Sequence, residues 1–223
     1  MIQTSQTVRM VKQTEIALSD AAEWLGNWHP LAEQLGSADG LNSLGSVSAL
    51  LHLGPVRNIS TLRQFLQSYQ EKILFPLELP AIESAHGHAM HNETRELVAL
   101  DCQLAGKCML HQFADASRRV GQYQLQKLRP LHDQRLVQRY LAAVQAGQAH
   151  GWHTLVYGVT LAIYSLPLRQ GLLGYAHQTT RGFIYSAARS LRLSEAQCRR
   201  VFDFVSKDFP SAVDSLLRKK SLV

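Results

Sequence analysis

The sequence predicts an all-α protein, a single-domain helical bundle of about nine or ten helices. Apolar residues recur at three- and four-residue spacing along most of the chain, and no segment alternates as a strand would. Gly and Pro punctuate these stretches at short intervals, as expected for helices joined by short links. Residues 150–191 are helical in pattern nearly throughout, and 154–168 carry no charged side chain. That combination marks a buried core helix followed by a long packed one.

Residues 1–13 read as a flexible tail and 14–223 as the helical domain. Asp20 and Glu23 have capping-box spacing and start a short helix through Trp24. His29-Pro30 breaks it, a second piece begins at 31–35, and the Gly-Ser-Ala-Asp-Gly run at 36–40 is a turn. Leu41, Leu44, Val47, Leu50 and Leu51 stripe the next helix, which Gly54-Pro55 ends. Ser60 is the expected N-cap of a helix over 61–74, with Leu62, Phe65, Leu66, Tyr69 and Ile73 on one face. Pro76 and Pro80 are expected to interrupt it before a short helix over 79–91.

Asn92 is the expected cap of one long helix over 93–128. Glu93 and Glu96 at its start and Lys127 and Arg129 at its end suit the helix dipole. Its expected inner side is Leu97, Leu100, Leu104, Cys108 and His111, and Pro130 stops it. Asp133 is the expected cap of 134–146, Gly147 and Gly151 bound a linker, and the apolar helix covers 152–165. Pro167 fits the first turn of a helix running to about Arg192. Ser194 caps 195–207, and Pro210 starts a last helix ending in Arg218, Lys219 and Lys220.

A chain of 223 residues buries enough surface to fold without disulfides or metal. Its cysteines, Cys102, Cys108 and Cys198, form no Cys-x-x-Cys and indicate a reducing, cytoplasmic compartment. The N-terminus is polar and lacks the apolar region of a secretory signal. No apolar run reaches the roughly 20 residues of a membrane span, so no membrane partner is expected. The net charge of +6 and pI near 9.4 favour acidic partners. Without an aromatic–basic repeat or zinc-finger spacing, nucleic acid is not the expected one.

Few constellations suggest chemistry. His86, His88 and His91 form the densest histidine cluster, and on a helix only His88 and His91 are neighbours. Two ligands, even with Glu93 added, fall short of a regular zinc set, and a polar helix end is the competing reading. Cys108, His111 and Asp115 lie at i, i+3 and i+7, a nucleophile–base–orienter order. Stacked in a row on one helix, they converge poorly on a substrate carbonyl. His150 and His153 flank Trp152, where capping and packing account for them. No P-loop, G-x-S-x-G, H-E-x-x-H or dinucleotide fingerprint is present. A helical His-rich metal- or cofactor-binding enzyme remains an alternative reading, with no catalytic residue assigned. The small residues Ala116, Ser117 and Gly121, and Ala187 near Phe183, instead mark close helix approaches.

The order of these parts resembles the UreF family of urease accessory proteins. Ala116-Ser117-Arg118-Arg119-Val120-Gly121 is similar to that family's Ala-Ser-x-x-x-Gly step, and 150–158, from His150 to Gly158, to the approach to its core helix. Leu166-Pro167-Leu168, Ala176-His177-Gln178-Thr179 and Ser186-Ala187-Ala188 resemble its next long helix. The family's N-terminal Pro-x-Gly-Gly segment is degraded here to Gly40 and Leu41, with Ser48 at the acidic position. Its Gly-Pro-Leu-Gly-Gln turn is replaced by Arg192-Leu193-Ser194-Glu195. The resemblance implies a homodimeric scaffold, not an enzyme. It would bridge a UreD/UreH-type accessory protein and a UreG-type GTPase for nickel insertion into the urease apoprotein. No cofactor is expected on the chain itself; nickel and GTP would be held by partners. The partner-binding residues it suggests are Gly40, Leu41, Ser43 and Gly45 with Arg218, Lys219 and Lys220. Ser117, Gly121, Gly158, Ser186, Ala187 and Ala188 are the packing positions.

Overall fold

The computed structural model describes residues 47–107 and 114–220, with side chains as far as Arg218. Among the described residues there is helix and no strand, as the periodicity predicts. A helical turn at Val47–Leu50 precedes α1 (Ile59–Tyr69). The cap of α1 is Asn58, not Ser60: its Oδ1 accepts from Thr61 N at 3.0 Å, and Thr61 Oγ1 accepts from Asn58 N at 3.0 Å. That reciprocal pair satisfies two N–H groups, which a serine at 60 would not do alone.

Pro76 and Pro80 do not break the rod. A π-helical segment, Gln70–Glu78, carries the backbone past Pro76 into α2 (Leu79–Met90), where Pro80 sits in the first turn. Pro76 has no N–H for the carbonyl four residues back. The wider register accommodates this, and Leu79 N bonds Leu74 O five residues back.

The single helix expected over 93–128 is two. α3 (Thr94–Ala105) ends at Gly106, and α4 (Ala114–Lys127) begins after the undescribed 108–113. Asn92 is not a side-chain cap; it takes a left-handed φ of 58° that turns the chain, and Glu93 holds the cap position. Asp133 is likewise not the cap of α5 (Arg135–Gln145), which Gln134 precedes without a side-chain bond. Instead Gln138 Nε2 donates to Arg129 O and Leu131 O, each at 3.0 Å, and closes that turn.

α6 (His153–Ile163) is almost wholly buried and is the hub of the fold. It packs most extensively on α2 and α4, and it also touches α7 (Leu168–Leu191). α7 ends with Arg192 in a left-handed conformation (φ 51°), and Leu193 N bonds Ala188 O at 3.0 Å. Ser194 and Gln197 form the capping box of α8 (Glu195–Val205). After a 3₁₀ turn, Ser206–Asp208, comes α9 (Phe209–Lys220). Arg169 of α7 grips Asp214 of α9 through two bonds, 2.7 and 3.2 Å long. No described helix is long and apolar enough to cross a membrane.

Candidate functional site

The packing positions of the sequence come together around the start of α6. Ser117 Oγ accepts from His153 N at 3.2 Å. A Cβ at Gly121 would lie 2.6 Å from His153 N and 2.8 Å from Trp152 C. Only hydrogen fits there, so α4 lies directly on the backbone that leads into α6. Gly158 does the same on the opposite side: a Cβ would meet Ile82 O and sit 3.0 Å from Ala85 Cβ. Ser186 and Ala187 are buried in α7, and Ala188 is half-buried.

The same region is held by a carboxylate that pattern reading leaves unassigned. Asp101 of α3 is fully buried. Its Oδ2 accepts from Tyr140 Oη at 2.5 Å and Gly151 N at 2.9 Å, and its Oδ1 accepts from His150 N at 2.6 Å. Trp152 Nε1 donates to its backbone carbonyl at 3.2 Å. One side chain thus ties α3, α5 and the 147–152 linker together. Burial and the adjacent Asp101 charge push the Tyr140 hydroxyl well above its ordinary pKa. The sequence signal was present: Asp101 stands between Leu97 and Leu104 on a buried stripe, where a carboxylate requires donors.

Glu78 is a second such group. It closes the π-helical segment, buried, and its Oε2 accepts from Tyr69 Oη at 2.5 Å; Tyr175 of α7 bonds it as well. Burial raises its carboxyl to a pKa of about 7, against the two hydroxyls, which favour the charged form. Behind Tyr175 stand Tyr157, at 5.2 Å between ring centroids, and His153, at 5.9 Å. Burial lowers His153 to about 3, so it is neutral at the hub. Its role there is packing, as its position before the apolar run suggests.

The histidine cluster does not converge. His88 Nδ1 lies 2.8 Å from Glu93 Oε2, whereas His91 Nδ1 bonds Gly87 O at 2.9 Å. Among the described residues no three His, Cys, Asp or Glu side chains are grouped to hold a metal ion. Cys108 and His111 lie outside the described residues, and Asp115 is exposed and pairs with Arg118 at 2.8 Å.

Of the expected partner residues, Gly40, Leu41, Ser43 and Gly45 lie outside the described residues. Arg218 is exposed near the end of α9, its Nε bonded to Asp214 O at 3.2 Å; the side chains of Lys219 and Lys220 are not described. A more prominent surface lies on α7, α8 and α1. Arg181, Tyr185 and Arg189 are exposed at four-residue spacing along α7, and Tyr185 is 68% exposed. Arg181 lies 4.9 Å over the Phe202 ring, and the exposed Phe204 is flanked by Arg63 at 4.9 Å and Lys207 at 5.8 Å. Six Lys or Arg residues against Glu195 and Asp203 make the 181–207 stretch net positive. Helical periodicity misses it, because an exposed Tyr on a polar face disturbs no pattern.

The search among curated proteins finds no match. A profile of the UreF family matches residues 56–203, which spans the α1 rod, the Asp101 network, the α6 hub and nearly all of α8. With helices ordered and packed as described over that whole span, the chain belongs to the UreF family, whose members are urease accessory proteins.

Proposed function

We propose that this protein is a scaffold for urease maturation. It bridges a UreD/UreH-type accessory protein and a UreG-type GTPase while nickel is inserted into the urease apoprotein. It acts in the cytoplasm, as a homodimer, and catalyses no reaction itself. Nickel and GTP are held by the partners.

Family membership over 56–203 carries this reading. The distribution of polar groups supports it. Buried carboxylates such as Asp101 and Glu78 are committed to helix–helix bonds. The exposed Arg181–Tyr185–Arg189 stripe has the residue types that protein interfaces favour, and its charge suits an acidic partner. The Arg218–Lys220 end of α9 adds positive charge.

The test is co-purification of the tagged full-length protein with the two accessory partners, together with deletion of its gene in a urease-positive host. Joint recovery and loss of active urease are expected. Full urease activation without the gene would overturn the proposal.

A further inference from the structure

Phe202 and Phe204 stand on opposite sides of α8, and packing accounts for only one of them. Phe202 faces α7 and is half-buried; the Arg181 guanidinium lies 4.9 Å over its ring, and the His177 ring is 5.4 Å away. Phe204 faces α1 and is 41% exposed, and among the described residues no other ring lies against it. Its neighbours there are cations. The Arg63 guanidinium of α1 lies 4.9 Å over the Phe204 ring, and Lys207 Nζ is 5.8 Å from it. Arg200, also exposed, precedes Phe204 by one helical turn.

These charges are not neutralised. Among the described residues Arg63, Arg200 and Lys207 make no ion pair. Asp203 and Asp208 are exposed nearby in the chain and pair with none of them. The Arg63 Nε is shielded from solvent and has no hydrogen-bond partner among the described residues.

We infer that this patch docks an acidic protein segment, which seats an apolar side chain on the Phe204 ring and carboxylates on Arg63, Arg200 and Lys207. A guanidinium lying flat on a ring keeps its N–H edge free for a carboxylate in its own plane. An acceptor there also relieves the unpartnered Nε. The ring supplies apolar area at the centre and the charges form its rim, as in protein interfaces generally. Asp203 and Asp208 favour a segment with spaced carboxylates over nucleic acid, whose continuous phosphates would be repelled by both. The inference rests on the scaffold reading only for which protein brings the segment, an accessory partner of the urease assembly.

The probe is a fluorescent peptide with glutamates on either side of a central leucine; its counterpart has glutamine at each of those positions. Fluorescence anisotropy follows both against the full-length protein. The acidic peptide should bind, weaken as salt is raised, and exceed the glutamine peptide by about tenfold or more. Phe204→Ala and Lys207→Glu should each weaken it by about tenfold or more. Both positions are exposed, so neither variant should move the melting curve. No binding of the acidic peptide, equal binding of the two peptides, or undiminished binding by either variant sinks the assignment. So does a single-stranded oligonucleotide of equal charge that binds more tightly through the same two positions. A peptide that fails while gene deletion abolishes urease activation removes this surface and leaves the scaffold reading; a peptide that binds as expected while activation survives deletion does the reverse.

Discussion

Gly121 shows how narrowly one position can be specified. The space its Cβ would occupy is already filled by the backbone of 151–153, and a backbone cannot rotate aside as a side chain can. Gly121→Leu is therefore expected to destabilise the protein by about 3 kcal/mol or more. Gly54, with nothing within 4 Å of a Cβ, is the control: Gly54→Ala should be near neutral. Urea denaturation of both variants checks the pair. Equal midpoints for Gly121→Leu and the native chain would mean that α4 does not lie against the linker. Gly121 was legible in the sequence because the small-residue step from Ser117 has helical spacing. Asp101 was not recognised, although it lies on the same kind of stripe, because periodicity classifies residues as apolar or polar and says nothing of where donors converge.

Where local chemistry decides a helix end the reading held at Ser194 but not at Asn58, whose box with Thr61 is equally local. Ser194 and Gln197 form a box within four residues, and the structure keeps it. Other stretches were misread where distant groups decide. Pro76 reads as a breaker in isolation, but packing on α7 and α8 holds the rod together through a change of register. The 93–128 stretch reads as one helix because Gly106 alone is a weak stop. What fixes α3 is the set of bonds that Asp101 makes to a linker some 50 residues onward. Asp101→Ala would leave the Tyr140 hydroxyl and the amides of His150 and Gly151 without their acceptor. The expected cost is about 3–5 kcal/mol, with Asp101→Asn retaining part of the stability through its remaining carbonyl oxygen. Hydrogen exchange at His150 and Gly151 locates the effect. Those amides should lose protection first in Asp101→Asn, and retained protection would show that the linker is held by other contacts.

Over the described residues the all-α class and the hub were legible, because a hub helix such as α6 must be apolar on every side and its neighbours must supply small residues where they cross it. The exposed Arg181, Tyr185 and Arg189 face was legible only in part, through the net charge, since exposed side chains contribute little to folding and follow no period. That same independence makes the surface testable. Arg181, Tyr185 and Arg189 stand on the outer face of α7, away from the Asp101 and Glu78 networks. Substituting them should spare the fold, because exposed positions outside such networks change stability by only about 0.5 kcal/mol. Binding should respond differently. An exposed Tyr between two arginines has the composition of an interface anchor, and burying a new carboxylate there, opposite an acidic partner, adds repulsion and desolvation together. Arg181→Glu with Tyr185→Asp is expected to reduce capture of an accessory partner at least tenfold, the equivalent of about 1.4 kcal/mol. The native complex should weaken as salt is raised, through screening of the remaining charges. Thermal unfolding run beside the capture assay separates the two effects: an unchanged melting curve with lost capture assigns the face to the partner, whereas undiminished capture would move the interface to the Arg218–Lys220 end of α9 or to the segment around Gly40–Gly45.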